Sequence, residues 1–209
     1  MSGEIRAVVF DLGNVCITWD RRLLYRQFFD DEAELEHFLT EVYSMEVNER
    51  FDRGMPLAEL TAELAARHPR YEREVLALAD RWIETIGPVI DGTIAILAEL
   101  RARSVPLYAL SNWNAETFAL VEPHHEFLGW FDGIVISGRE GVTKPDPAIY
   151  RLLCERHGLA PQHALFVDDS PANVEGARAT GMPALRFADA STLRAELVAV
   201  GLLAPRQVG

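Results

Sequence analysis

Four short stretches place reactive side chains where apolar runs stop. Asp11 ends "AVVF" (7–10), Ser111-Asn112 ends "LYAL" (107–110) and Asp168-Asp169-Ser170-Pro171 ends "LFV" (165–167), while Lys144 stands before a proline in "VTKPDPAIY" (142–150). A carboxylate can attack an electrophile or bind a metal, a hydroxyl and an amide can donate to an anion, and a fixed ammonium can offset negative charge. Two adjacent carboxylates repel each other unless something positive is near. A hard divalent cation such as Mg²⁺, which takes carboxylate and carbonyl oxygens plus waters, answers that need. Asp169 is the expected direct metal ligand, with Asp168 behind it. The proline after Lys144 favours an extended backbone at the lysine and so pre-positions its ammonium. Each member also has a local reading, as a loop cap, a turn residue or a solvated surface charge. The ordered set is far more specific than any one of them.

The elements that must hold these residues alternate. From about residue 91 onward, "VPLYAL" (105–110), "GIVI" (133–136), "ALFV" (164–167) and "PALRF" (183–187) read as strands, and the stretches 147–157, 171–180 and 190–200 read as helices. With "AVVF" in front, five parallel strands predict a doubly wound, Rossmann-like α/β sheet, which binds ligands at the carboxyl ends of its strands. Asp146 and Pro147 fit the cap and first residue of one helix, Ser170 and Pro171 those of the next, and Gly181 its stop. Between residues 14 and 88 the texture changes. "RRLLYRQFFD", "EAELEHFLTEVY" and "LAELTAELAARH" have helical periodicity and no clear strand appears. A helical lobe that leaves after the first strand and returns before the second belongs over the strand ends, as a lid. The expected division is a core of residues 1–14 and 89–209 and a helical cap of residues 15–88.

Composition narrows the partners. The chain has 209 residues, nearly half of them apolar, enough for a full core, and a formal charge of −12 without a basic run. Bulk neutralisation of nucleic-acid phosphates is thereby disfavoured, and small molecules are the expected partners. No signal-peptide pattern and no bilayer-length apolar segment is present, so a cytoplasmic protein without a membrane partner is expected. Cys16 and Cys154 lie far apart without metal-like spacing and read as buried free thiols. His124-His125 reads as a loop feature, and Trp19, Tyr25, Trp82 and Trp113 mostly as core. Oligomeric state does not read from the sequence.

The ordered set resembles the haloacid dehalogenase superfamily. "FDLGNV", "LSNWN", "KPDPAIY" and "FVDDSPANVEGA" are most similar to its sugar-phosphate phosphatases, among them the α-D-glucose-1-phosphate phosphatases. The resemblance implies that Asp11 attacks phosphorus, forming an aspartyl phosphate that water then hydrolyses. It also implies Mg²⁺ held by Asp11, Asp169 and the backbone carbonyl of Gly13, with Asp168 and Asn173 close by. Ser111 and Asn112 would meet the phosphate, Lys144 would offset the charge it shares with Asp11, and residues 15–88 would be a C1-type cap.

One departure stands out. Most phosphatases of that superfamily carry a second aspartate two residues after the nucleophile, as proton donor and later base, and this chain has Gly13 there. General acid help supplies roughly 10²–10⁴-fold, so its absence needs an answer. The candidates are a substitute from the lid, with Asp20, Glu46 and Glu49 unranked, or an anomeric leaving oxygen that needs less help, as in a sugar 1-phosphate. A third is poor catalysis in a phosphate-binding protein. A 2-haloacid dehalogenase on the same scaffold is the nearest rival, and it has no need of the acidic pair. A phosphomutase would need the shuttle that Gly13 lacks.

Overall fold

The structure is a computed structural model and describes residues 4–205. Among the described residues seven strands form in chain order: β1 (Ala7–Phe10), β2 (Ile17–Trp19), β3 (Ile86–Val89), β4 (Leu107–Ser111), β5 (Gly133–Ile136), β6 (Ala164–Asp168) and β7 (Ala184–Arg186). Five of them make one parallel sheet in the order β5-β4-β1-β6-β7. All four residues of β1 are buried, as a central strand covered on both faces requires. Val8 and Phe10 join the core on one face and Val9 the core on the other, the period-two alternation of a strand.

Register brings the chemistry to one edge. Phe10 pairs with Ala109 of β4 and with Val167 of β6, and the Asp11 amide extends the ladder to the Val167 carbonyl at 2.8 Å. Asp11, Asp168 and, one step further along β4, Ser111 therefore leave the sheet together. Helices lie where the periodicity places them, at Pro147–His157, Pro171–Ala179 and Ala190–Ala199, and a further one, Asp91–Ala102, precedes β4. Asp146 caps its helix through the Ala148 amide at 2.8 Å. Ser170 occupies the expected cap position, but its hydroxyl makes no cap bond; the Ser170 amide donates to Asp168 Oδ1 at 2.8 Å instead.

The regular elements between residues 22 and 85 are helices, with an aromatic cluster of Tyr25, Phe28, Phe29, Phe38, Tyr43 and Tyr71 among them. The expectation of no strand between residues 14 and 88 is corrected by β2 and β3, which pair antiparallel where the insert leaves and returns. Three or four residues, one strand carrying Gly87-Pro88, are too short for an alternating signal.

Insert and sheet are joined by polar bonds from the segment after β4. Buried Asn114 donates through Nδ2 to the carbonyls of Phe51 and Met55, both at 2.9 Å, while its Oδ1 accepts from the Glu116 amide to cap helix Ala115–Val121. Asn114→Ala removes the cap and strands two carbonyls, so its unfolding free energy in urea is expected to fall by about 2–4 kcal/mol. A loss below about 0.5 kcal/mol would show that the seam carries no stability.

Candidate active site

A cavity of about 580 Å³ lies between the carboxyl edge of the sheet and the insert. From the sheet side it is lined by Asp11, Gly13, Ser111, Asn112, Lys144, Asp169 and Asn173. The volume suits a small metabolite.

Asp11 is the most constrained group. Its Oδ1 accepts from the Leu12 amide at 2.7 Å, from Ser111 Oγ at 2.8 Å and from Lys144 Nζ at 2.9 Å, whereas Oδ2 makes no hydrogen bond among the described residues. Burial, together with the charges of Asp168 and Asp169, pushes its pKa up to about 7, against the pull of Lys144. Lys144 is fully buried and also reaches Asp168 Oδ2 at 2.6 Å. Burial alone would lower its pKa, but the Asp11 and Asp168 charges outweigh that and raise it, so it stays an ammonium. The Lys144–Pro145 peptide is cis.

The structure separates the two adjacent aspartates. Asp168 is wholly buried and committed to the Lys144 ammonium, the Ser170 amide and Asn173 Nδ2. Asp169 faces the cavity, and no side chain donates to its carboxylate among the described residues. Its pKa is raised by burial and by the Asp168 charge. Carboxylate oxygens of Asp11, Asp168 and Asp169 all lie within 4.8 Å of one another. Three carboxylates share one ammonium, which leaves an excess of negative charge in a place where water solvates it poorly. That charge excess, in an all-oxygen donor set, fits a hard divalent cation.

Asn112 lines the cavity, yet its amide is spent on the Lys144 backbone, accepting from its N–H at 2.8 Å and donating to its carbonyl at 2.9 Å. It therefore holds the lysine in place. Tyr25, Trp82 and Trp113 are buried in the core, as expected for most of the singled-out aromatic residues, and Trp82 and Trp113 also line the cavity together with half-buried Trp19. Cys16 and Cys154 are free and buried.

From the insert come Met45, Glu46, Asn48, Glu49 and Asp52. Asp52 was not a sequence candidate. Its helix, Met45–Asp52, starts at Ser44, which accepts the Val47 amide, and the spacing of Asn48 and Asp52 by one turn places them on one face. A Ser cap followed by polar residues one turn apart is the only signal that could have found it, and it is a weak one. Of the sequence candidates, Glu46 and Glu49 line the cavity from exposed positions, while Asp20 lies outside its lining and accepts the Arg22 amide.

Fold and site define an α/β protein with its chemistry at the carboxyl edge of a parallel sheet. The haloacid dehalogenase-like hydrolase family matches residues 5–181. Over 198 residues the chain is 30% identical to a sesquiterpene phosphatase of Aspergillus oryzae, covering 94% of this chain and 97% of that protein. A HAD-like hydrolase structure from Porphyromonas gingivalis superposes with a TM-score of 0.72 at 21% identity, covering 98% of this chain and 100% of that one. A HAD family enzyme of Bacteroides thetaiotaomicron, crystallised as a magnesium complex, gives 0.70 at 20% identity over 88% of this chain and 93% of that one. The chain belongs to the haloacid dehalogenase-like hydrolases, and proteins named as phosphatases are among those it is similar to. Among the described residues no helix is long and apolar enough to cross a membrane.

Proposed function

We propose that the cavity hydrolyses the phosphate monoester of a small metabolite through phosphorylation of Asp11, with a sugar 1-phosphate as the favoured substrate. The observation that carries this reading is the asymmetry of Asp11: three donors hold Oδ1, and Oδ2 is left free to attack phosphorus in line. Lys144 offsets the charge that Asp11 and the phosphoryl group share, and the Ser111 hydroxyl turns its single proton from Asp11 Oδ1 to a phosphate oxygen when substrate enters, leaving the Leu12 amide and Lys144 on Oδ1. Asn112 fixes Lys144 for that task. Asp11, Asp169 and the Gly13 carbonyl would hold Mg²⁺, with Asp168 and Asn173 supporting them from behind. Bound there, the ion supplies further neutralisation between carboxylate and phosphate. A 2-haloacid dehalogenase, attacking carbon, gains nothing from three clustered carboxylates, and this weighs against it. The division into a core of residues 1–14 and 89–209 and a cap of residues 15–88, in a cytoplasmic enzyme acting on neither nucleic acid nor membrane, belongs to the same reading.

The sugar 1-phosphate preference starts from Gly13: the loop after β1 carries no acid, and an anomeric oxygen, which leaves more readily than a simple alkoxide, depends least on an acid brought in from another element. A second reading is favoured by the cavity wall: Trp19, Met45, Trp82 and Trp113 offer an apolar surface, and the similar Aspergillus oryzae protein is a sesquiterpene phosphatase. Phosphate release from sugar 1-phosphates, sugar 6-phosphates and sesquiterpenyl monophosphates, with and without Mg²⁺, separates the two. Metal-dependent release led by the 1-phosphates is the expected result; a lead for the terpenyl esters would transfer the assignment, and a lead for the 6-phosphates would sink the argument from Gly13.

Metal binding has a readout that does not depend on turnover. At roughly ten times its Kd, Mg²⁺ is expected to stabilise the wild type by about 1.4 kcal/mol, a rise in Tm of roughly 3–6 °C. Asp169→Asn should abolish that rise. An equal rise in the variant would remove Asp169 from the metal site.

A further inference from the structure

An ordinary alkoxide is a poor leaving group, so its ester bond breaks fast only if a proton reaches the leaving oxygen as the bond opens. Asp11 attacks and cannot also supply it, Lys144 is held between two carboxylates, and Gly13 has no side chain. We infer that Asp52, delivered by the insert, is the general acid that protonates the leaving oxygen and afterwards the base that activates water, an inference that rests on the phosphatase reading above.

The side chain is oriented for that task. Buried Tyr43 donates its hydroxyl to Asn48 Oδ1 at 2.8 Å, which turns the Asn48 amide so that Nδ2 donates to Asp52 Oδ2, also at 2.8 Å. An oxygen that accepts from an N–H is the poorer place for a proton, so the proton sits on Oδ1, which has no hydrogen-bond partner among the described residues. Burial, and after it the negative charge of Asp11, pushes the Asp52 pKa up to about 8, so the carboxyl enters the reaction protonated at neutral pH.

The backbone is fixed as well. Although Asp52 belongs to the insert, the segment around it is tied to the sheet domain at several points. Ser137 Oγ donates to the Asp52 carbonyl at 2.6 Å, Asn114 holds the carbonyls on either side of it, and Arg53 Nε donates to Thr143 Oγ1 at 3.2 Å. Gly54, at φ +105, passes so close to Gly138 that a Cβ would lie 2.8 Å from the Gly138 carbonyl oxygen. Asp52 therefore keeps its place relative to Asp11. The rival carboxyls are not so placed: Glu49 is exposed and paired with Arg53 at 2.6 Å, Glu46 is exposed, and Asp20 lies outside the cavity lining.

The step balances. An Asp11 Oδ2–phosphorus bond forms, the phosphorus–oxygen ester bond breaks, and the Asp52 proton moves to the departing oxygen to give a neutral alcohol. Water then attacks phosphorus and the bond to Asp11 breaks, while the water proton returns to Asp52. Free phosphate and the starting enzyme result.

Leaving-group dependence tests the assignment, because p-nitrophenolate departs without a proton and an alkoxide does not. For Asp52→Asn, kcat/KM for a sugar 6-phosphate is expected to fall by about 10²–10⁴-fold, and for p-nitrophenyl phosphate by less than about tenfold. A Cβ at Gly13 meets no atom within 4 Å, so Gly13→Asp in the Asp52→Asn background is expected to restore part of the lost alkyl-ester rate. Equal losses on both esters would overturn the inference and leave Asp52 a structural residue. A raised KM at unchanged kcat would also overturn it, making Asp52 a binding group. If the wild type turns over neither ester, nor any compound of the substrate panel, the phosphatase reading itself fails and takes this inference with it.

Discussion

Asp11→Asn is expected to lower kcat/KM for every phosphate ester by at least about four orders of magnitude. The replacement has nearly the same shape, and its carbonyl oxygen can still accept from the Leu12 amide and Ser111, two of the donors that hold Oδ1 in the wild type. What it loses is the nucleophile, since an amide oxygen does not form the acyl phosphate on which two-step hydrolysis depends. The loss cannot be blamed on unfolding. Asp11, Asp168 and Asp169 crowd around one lysine, so removing one negative charge relieves repulsion, and Lys144 keeps its pairing with Asp168 at 2.6 Å. Without divalent cations the variant should melt at or above the wild-type Tm. Metal-dependent turnover within a hundredfold of wild type would refute nucleophilic attack by Asp11.

The second large effect falls on stability. Lys144→Met removes the only ammonium among three clustered carboxylates and leaves Asp11 and Asp168 facing each other in a buried place. Breaking a buried pair from one side costs about 3–5 kcal/mol, a fall in Tm of roughly 6–20 °C for a chain of this size. The loss has a pH dependence of definite sign. Asp11 already has its pKa raised to about 7 by burial and its acidic neighbours. Without Lys144 it rises further, so the folded state holds protons that the unfolded state has released. Up to about pH 7 the wild type keeps the Asp11 proton in its folded state too, so this charge penalty does not separate the two proteins there; it grows as pH climbs through about 7 and is full only above the variant's own, higher pKa. Melting curves across this range check it. Adding Asp168→Asn to Lys144→Met removes one of the stranded charges and should return part of the stability at neutral pH. A double variant no more stable than the single one would mean that lost packing, not charge, explains the effect.

The two predictions share one physical origin. Negative charge held against burial is what makes the site demand a cation, and it is also what a phosphate ester would meet on entering. Lys144 lowers that cost, as would a cation held at the proposed oxygens, and Asn112 keeps Lys144 in position through its backbone. Such a site keeps its charge for function at the expense of stability.

The residues legible in the sequence are those that follow directly from a strand. Asp11, Ser111 and the Asp168-Asp169 pair each stop an apolar run, and a parallel sheet has a single carboxyl edge, so the chain pattern alone brings them to one place. That Asp169 rather than Asp168 faces the cavity also follows from local chemistry, because one aspartate of such a pair serves the turn, as Asp168 does with the Ser170 amide. Gly13 was legible as a missing function, though not as the open space that a Cβ there would enter. Tertiary structure decided the rest. Whether Asn112 meets a ligand or the Lys144 backbone depends on a loop 32 residues away. β2 and β3 exist only as partners of each other and are too short to announce themselves. Asp52 sits in a polar stretch like several others in the insert, and nothing in its neighbours' periodicity separates it from Glu46 or Glu49. It becomes distinct only when Tyr43 and Asn48 orient it and Asn114 and Ser137 pin its backbone over the sheet. A strand hands its last residue to a fixed edge, whereas a helix places a side chain according to how the whole helix packs, and that packing is a property of contacts far apart in the chain.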